Sequence, residues 1–359
     1  MRTANRALPV LVTALISGVV VFPASAYAFG TDEDHPPGKT PVGDASGNTL
    51  TAEATDTRIK VTQVSGGTSG AAAKALAPVD PNWHPPACWY EPVATPEQLK
   101  NGVELLEQGR GASATILVTP SLGWGPDLMV DHYKKGAKQS DGYESYKNFN
   151  LGKAGSFWRG VVNESRKYDP EAYNCDKLLF WQDAGALPDN AHAPTPDILA
   201  SYAYDEIKVP DTEVELKPAV KSTVNLPTWV WLDKAAFKEV QVRAELEAAG
   251  VWAETTAKPI ALHLEPGTED AETYPASGDC RINDDGSIGT PYASGEAGKT
   301  PPCGIRYLRA SNGQPYQLTA SITWQISWEG SGGAQGDLPD GTFETKQDMT
   351  VQEIQAVNR

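Results

Sequence analysis

Residues Ala293-Ser294-Gly295-Glu296-Ala297-Gly298-Lys299-Thr300 fit a loose phosphate-binding loop in which Ala replaces the first Gly. In such a loop the backbone N–H groups and a helix N-terminus converge on the phosphates, so a strand must precede it and a helix must follow. Here Pro301-Pro302 follows at once and supplies no N–H, and no apolar strand precedes Ala293. Nucleotide binding is therefore not expected. Asn283-Asp284-Asp285-Gly286 resembles the start of a calcium loop, but the first ligand position falls on Arg281 and the twelfth on Tyr292, neither a carboxylate. A polar turn is expected there. Ser, His and Asp are all present, yet G-x-S-x-G and H-E-x-x-H are absent, and His35, His84, His132, His192 and His263 are scattered. His263 alternates with Leu262 and Leu264 and should face solvent or a core hydrogen bond. Carboxylate pairs for glycoside hydrolysis need not be close in sequence, so abundant Asp and Glu argue neither for nor against them. No catalytic, cofactor-binding or metal-binding residue is expected.

Cys88, Cys175, Cys280 and Cys303 form an even set with long spacings and no C-x-x-C or C-x-x-H arrangement, which favours disulfides over zinc. Three connectivities are possible. The sequential one, Cys88 with Cys175 and Cys280 with Cys303, places one bridge in each of two folded regions and is the expected pairing, each bridge contributing about 3–5 kcal/mol. Among the ten tryptophans, Trp229, Trp231, Trp324 and Trp328 lie in apolar or alternating runs and should be core. Trp83, Trp89, Trp124 and Trp158 lie in irregular surroundings and are the candidates for an exposed aromatic binding surface.

The elements that must position these residues follow from periodicity. Thr95-Pro96-Glu97-Gln98 reads as a helix start with a capping box, and Leu99, Val103 and Leu106 give one apolar stripe ended by Gly109. Ala114–Val118 and Leu178–Trp181 read as strands. The stretch Asp131–Tyr173 is polar, aromatic and rich in turns, and its pattern fits no element. Thr195-Pro196-Asp197 opens a second helix through about Glu206. After Pro218 the pattern becomes alternation. Tyr316, Leu318, Ala320, Ile322, Trp324, Ile326 and Trp328 share one parity, the mark of a strand with one face buried. A Gly-rich turn leads to a last strand with Phe343, Met349, Val351 and Ile354. Lys234–Gly250 fits helix or strand; β-branched residues at alternating positions favour strand. Leu226–Leu232 is apolar on both faces and should lie where the two folded regions meet.

Arg2 and Arg6 precede an apolar run from Leu8 to Phe22 and the small-residue pattern Ala24–Ala28, which reads as an export signal over residues 1–28. Its cleavage would remove two of 30 basic residues and none of 46 acidic ones, taking the formal charge from −16 to −18. Such a chain has no basic stripe for a polyanion, so neither nucleic acid nor an anionic membrane surface is an expected partner. No later stretch reads as a membrane span, so a released, secreted protein is expected, extracellular or loosely associated with a cell wall. Residues 29–79, rich in Gly, Pro, Ser and Thr, read as a disordered linker, with a short strand conceivable near Arg58–Val64.

Several runs resemble a family of secreted proteins of Gram-positive actinomycete bacteria. They are Leu226-Pro227-Thr228-Trp229-Val230-Trp231-Leu232, Gly289-Thr290-Pro291-Tyr292 inside the Cys280…Cys303 loop, Gly313-Gln314-Pro315-Tyr316, and Glu353-Ile354-Gln355-Ala356-Val357-Asn358. The resemblance spans about Leu178–Arg359, with a weaker echo at Pro86–Tyr90. It implies a C-terminal antiparallel sandwich like the PKD (polycystic kidney disease) and immunoglobulin domains, and an extracellular accessory or adhesion role without a set of catalytic residues. One departure is that Ile260–Leu264 leads into Glu265-Pro266-Gly267-Thr268-Glu269-Asp270 in place of a Trp-Asp-x-Gly-Asp-Gly-like turn. The expected organisation is thus a small α+β domain over 80–217 and a PKD-like β-sandwich over 218–359. The expected function is non-enzymatic binding of an extracellular protein or cell-wall polysaccharide. The alternative is a carbohydrate-binding or carbohydrate-active protein with its site in residues 123–190.

Overall fold

A computed structural model describes residues 44–45, 50–52, 58–66, 73–108, 126–138, 145–210, 214–219, 221–232 and 238–354. Its principal elements, in chain order, are β1 (Lys60–Ser65), β2 (Cys88–Ala94), α1 (Pro96–Glu107), β3 (Gly155–Val162), β4 (Phe180–Asp183), α2 (Pro196–Asp205), β5 (Pro227–Leu232), β6 (Val240–Leu246), β7 (Val251–Glu265), β8 (Ala271–Tyr274), β9 (Gly304–Tyr307), β10 (Tyr316–Gly330) and β11 (Gln335–Gln352). The protein is mostly antiparallel β-sheet with few helices. The main sheet runs β1-β6-β7-β10-β11, and a short parallel strand, Lys221–Thr223, pairs with the end of β11. A smaller sheet places β5 and β9 side by side, flanked by Glu215–Lys217 and β8. The third sheet is β2-β3-β4.

Alternation dictates which side of the main sheet is buried. In β10, Leu318, Ala320, Ile322, Trp324 and Ile326 are buried while Thr319, Ser321 and Thr323 are only half-buried. β6 is a strand, because Val240, Val242, Ala244 and Leu246 all turn to the core. Along β7 the parity changes partway: Ala253, Thr255, Ala257 and Pro259 face inward, then Leu262 and Leu264 do. Pro259 pairs with Trp324 and Ala261 with Thr323, which leaves Ile260 as the extra residue of a β-bulge. Without that residue Leu262 and Leu264 would point at water. At the far end of β10, Gly332 and Gly333 (φ 74° and 76°) make the turn into β11, a backbone shape that suits residues without a Cβ.

One core joins the β5/β9 sheet to the main sheet, with Val230, Leu232, Ile305 and Tyr307 from the first and Leu262, Leu318, Ile322 and Val351 from the second. α2 packs on β6, β7 and β10. Its Leu199, Ala200 and Ala203 are fully buried, and Ala244, Ala253 and Ala257 in the strands beneath are equally so. The buried Thr255 hydroxyl donates to the Ala200 carbonyl at 2.9 Å, so its polar atom does not go unsatisfied.

A separate α+β unit upstream is not evident, which corrects the expected fold class. Trp89, Tyr90, Trp158 and Val161 of β2 and β3, together with α2, share the core of the large sheets. A second, smaller core lies on the other side of β2-β3-β4, where Val93, Leu99, Val103, Met129, Tyr133, Tyr146, Phe149 and Phe157 meet. α1 enters it through the expected capping box: Gln98 N–H donates to Thr95 Oγ1 (3.3 Å) and Thr95 N–H to Gln98 Oε1 (2.9 Å). Within the stretch expected to be linker, β1 is ordered and pairs with β6, with Ile59 and Val61 buried. Residues 1–28 and the expected strand Ala114–Val118 lie outside the described residues. Among the described residues no helix is long and apolar enough to cross a membrane.

Candidate functional site

Two of the four tryptophans expected to form an exposed surface are core residues. Trp89 is 1% and Trp158 3% exposed. The reason is that every residue of β2 is buried, so Trp89 has no face open to water. Its indole N–H donates to the buried Glu91 carboxylate at 2.5 Å, and the Arg58 backbone N–H donates to the other oxygen of the same carboxylate. Trp83 is half-buried and lies 5.0 Å from the Tyr204 ring, while Trp124 is outside the described residues. Trp83, Trp89 and Trp158, the three that lie among the described residues, do not form an exposed aromatic platform.

The cysteines form two bridges, Cys88–Cys175 and Cys280–Cys303, the sequential pairing. The first ties β2 to the end of a loop over residues 163–175, and that loop is the strongest candidate for a recognition surface. Tyr168 at its tip is 82% exposed, the most exposed large hydrophobic side chain among the described residues, and Tyr173 is 42% exposed. The segment is braced at several points. Arg166 donates through Nη1 to the Pro85 carbonyl (2.6 Å) and pairs through Nη2 with Asp169 and with Glu171 (2.9 Å). Asn163 donates to the Pro86 carbonyl (3.0 Å), its oxygen accepts from Ser165 N–H (3.0 Å), and Ser165 Oγ donates to Asp205 at 2.7 Å. Asp169 caps the short helical turn Pro170–Asn174 through Glu171 N–H. That bond, followed by the Arg166 contact, holds the Asp169 carboxyl below its ordinary range.

At Gly160 in β3 a Cβ would stand 2.2 Å from the Cys175 carbonyl oxygen, so only glycine lets the loop's end press on the sheet. Lys167, paired with Glu164, sits 5.4 Å over the Tyr168 ring. The chain thus holds an amphipathic ring in water on a backbone that has little freedom left to lose on binding. The polar, turn-rich texture of Asp131–Tyr173 concealed it; the usable signal was a Tyr between Lys and Asp-Pro just ahead of a cysteine.

A second feature is a groove of about 680 Å³ between the end of β7 and β8, lined by His263, Glu265, Glu269, Glu272 and Tyr274 among others. His263 faces solvent, as its alternation with Leu262 and Leu264 suggests, and its Nδ1–H donates to Asp279 Oδ1 at 2.7 Å. This bond holds the Asp279 carboxyl below the usual carboxylate range. The group facing Nε2 is the Glu265 carboxylate at 3.9 Å, an acceptor rather than a nucleophile. Glu272 is taken by Arg306, so it is not a free acid. The arrangement orients the imidazole between two carboxylates, Asp279 on Nδ1 and Glu265 near Nε2.

The remaining histidines are dispersed. His84 is exposed, His132 is buried in the smaller core against Tyr133 and Tyr146, His192 lies beside β2, and His35 is outside the described residues. Residues 293–300 form turns in which Lys299 Nζ donates to Glu296 at 2.7 Å. At the Asn283–Gly286 turn, Asp285 accepts from Ser287 N–H and Asn283 donates to the Gly289 carbonyl, the bonding of a polar turn. Compared with known proteins, the chain matches no family model, no curated protein and no solved structure.

Proposed function

We propose that this chain is a secreted, non-enzymatic recognition or accessory module that binds an extracellular or cell-envelope protein through the Tyr168 loop. The observation that carries the reading is the combination at that loop: an aromatic side chain 82% exposed on a segment pinned by a disulfide and by the Arg166 contacts. Exposed rings cost solvation, and braced loops cost sequence choices; together they make sense as a preorganised contact. The export-signal pattern and two bridges agree with an oxidising compartment. The two-sheet body agrees with the immunoglobulin/PKD-like sandwich of the actinomycete secreted proteins that the sequence resembles.

The alternative, a carbohydrate-binding protein with its site in residues 123–190, is favoured by the same ring, since tyrosine faces also stack on sugars. Immobilised oxidised protein, challenged with extracellular and cell-wall material and compared with Tyr168→Ala, separates the two. A recovered protein that falls about tenfold or more with the variant supports the first reading. A defined glycan lost in the same way supports the second. Equal recovery by both forms removes Tyr168 from the contact.

A further inference from the structure

The two bridges differ in their surroundings. Beside Cys88–Cys175 a ring nitrogen of His192 and the two sulfurs all lie within 4.8 Å of one another, and this is the one such group of three metal-ligating side chains among the described residues. Each of the three is placed by contacts other than the S–S bond. Cys88 is held by the β2–β3 ladder opposite Val162. His192 is held through its own carbonyl, which accepts from Tyr90 N–H at 3.0 Å, and its ring stands edge-on to Tyr90. Cys175 is pressed on β3 at Gly160. Opening the bridge would therefore leave two sulfurs and an imidazole facing one point. A tetrahedral zinc with Zn–S near 2.3 Å and Zn–N near 2.0 Å sets its ligand atoms about 3.4–3.8 Å apart, a short adjustment from the present spacing. Cys88 is buried while Cys175 and His192 are half-buried, which leaves a side for the ion to enter.

We propose that the reduced protein binds one zinc ion through Cys88, Cys175 and His192, with the fourth position open to water or an exogenous ligand. The site is redox-gated. In the oxidised protein the two sulfurs are bonded to each other and give no thiolate. A phosphine reductant opens the bridge with water, which supplies oxygen to phosphorus and one proton to each sulfur; zinc then displaces both thiol protons to solvent. Neutral His192 contributes its ring nitrogen as the third ligand. The recognition reading uses the closed bridge as a brace of the Tyr168 loop, whereas this inference concerns the reduced protein, so the two are tested on different oxidation states and fail separately.

The test uses the full chain under argon with a phosphine reductant. Cobalt(II) should give a thiolate charge-transfer band that saturates at one equivalent and is abolished by zinc. Alkylation followed by peptide mass spectrometry should find Cys88 and Cys175 protected by zinc while Cys280 and Cys303 react. His192→Ala should weaken zinc binding at least about tenfold, and His192→Cys should restore it. The mass-spectrometric readout needs no variant, so a misfolded His192→Ala does not spoil the test. Absence of the band, protection of Cys280 and Cys303 instead, or unchanged affinity in His192→Ala overturns the proposal. Reduced protein that unfolds without taking up zinc overturns it equally.

Discussion

The large two-sheet core and the small core on β2-β3-β4 were built by different means. The large one is mainly aliphatic and periodic, with aromatic rings such as Trp89 and Trp324 set among long strands that turn one residue in two inward and small alanines where α2 crosses. The small one is aromatic and irregular. Tyr133 and Tyr146 stack at 5.7 Å, Phe157 meets both edge-on, Trp181 closes on Phe157, and His132 is enclosed with them. Burial pushes up the pKa of the Tyr133 phenol, whose hydroxyl donates to the Leu179 carbonyl at 3.0 Å. The contrast teaches that a repeating pattern secures a core along paired strands, whereas a core without repetition relies on a few large rings, several of which, such as Tyr133 and Tyr146, carry a polar atom that must be placed. Breakage should therefore be distributed in the first and local in the second.

The largest effect expected is from the bridges. Replacing Cys88 and Cys175 by Ser opens a loop of separation 87, against 23 for Cys280 and Cys303, and loop-closure entropy puts the losses at about 4.5 and about 3.5 kcal/mol. Urea titration of the two double variants should rank them in that order; the reverse order would mean that the Cys88–Cys175 bridge stabilises less than its loop length implies. Trp324→Ala, in the centre of β10 and 1% exposed, should cost about 3–4 kcal/mol and shift every spectroscopic probe together. Phe157→Ala, of similar cost, should instead raise amide exchange first in α1 and β4, and uniform exchange would dissolve the contrast between the cores.

Smaller effects sharpen the same comparison. Thr95→Ala removes half of the capping box and should cost about 1 kcal/mol, felt in α1 rather than the large sheets. Burial lowers the pKa of His132 from its ordinary 6.5, partly opposed by a backbone hydrogen bond at Ala137. The folded state therefore favours the neutral ring, and its contribution is full above pH 6.5 and lost as pH falls below that value. Protection factors of the small-core amides, taken relative to the intrinsic exchange rate at each pH, should fall as pH is lowered from 7 to 5, and His132→Phe should flatten the change. Tyr168→Ala, fully outside both cores, should leave the urea midpoint within about 0.5 kcal/mol of the parent while altering binding.

How much could be read beforehand follows the same division. The β10 alternation, the capping box at Thr95 and the α2 start at Pro196 were legible because each is a local rule that the environment did not override. β6 could be assigned as strand because Val240, Val242, Ala244 and Leu246 alternate with polar residues. The bulge at Ile260 left a trace, a parity slip between Pro259 and Leu262, that is plain once the pairing is known. Trp89 misled because Pro92 and the neighbouring Cys88 suggest irregular chain, yet β2 is an edge strand, where proline is tolerated, and it is covered on both faces; Trp158 misled because β3 lies in a turn-rich stretch but is the central strand of its sheet. Long-range burial of that kind has no local signature. The Tyr168 loop escaped for the opposite reason, since its order comes from Arg166 reaching back to Pro85 and from a bridge to Cys88, contacts about eighty residues away.

β1 and β6 lie side by side although one occupies residues 60–65 and the other residues 240–246. A ribosome adding about 5–20 residues per second delivers the second strand roughly 10–35 s after the first. Throughout that interval the short segment Leu50–Ala52 pairs with one edge of β1, while the edge that β6 will cover stays open, so newly made chain must be kept from pairing there with a neighbour's edge. The order of synthesis thus makes the main sheet a late event, completed only when most of the molecule is in the same compartment.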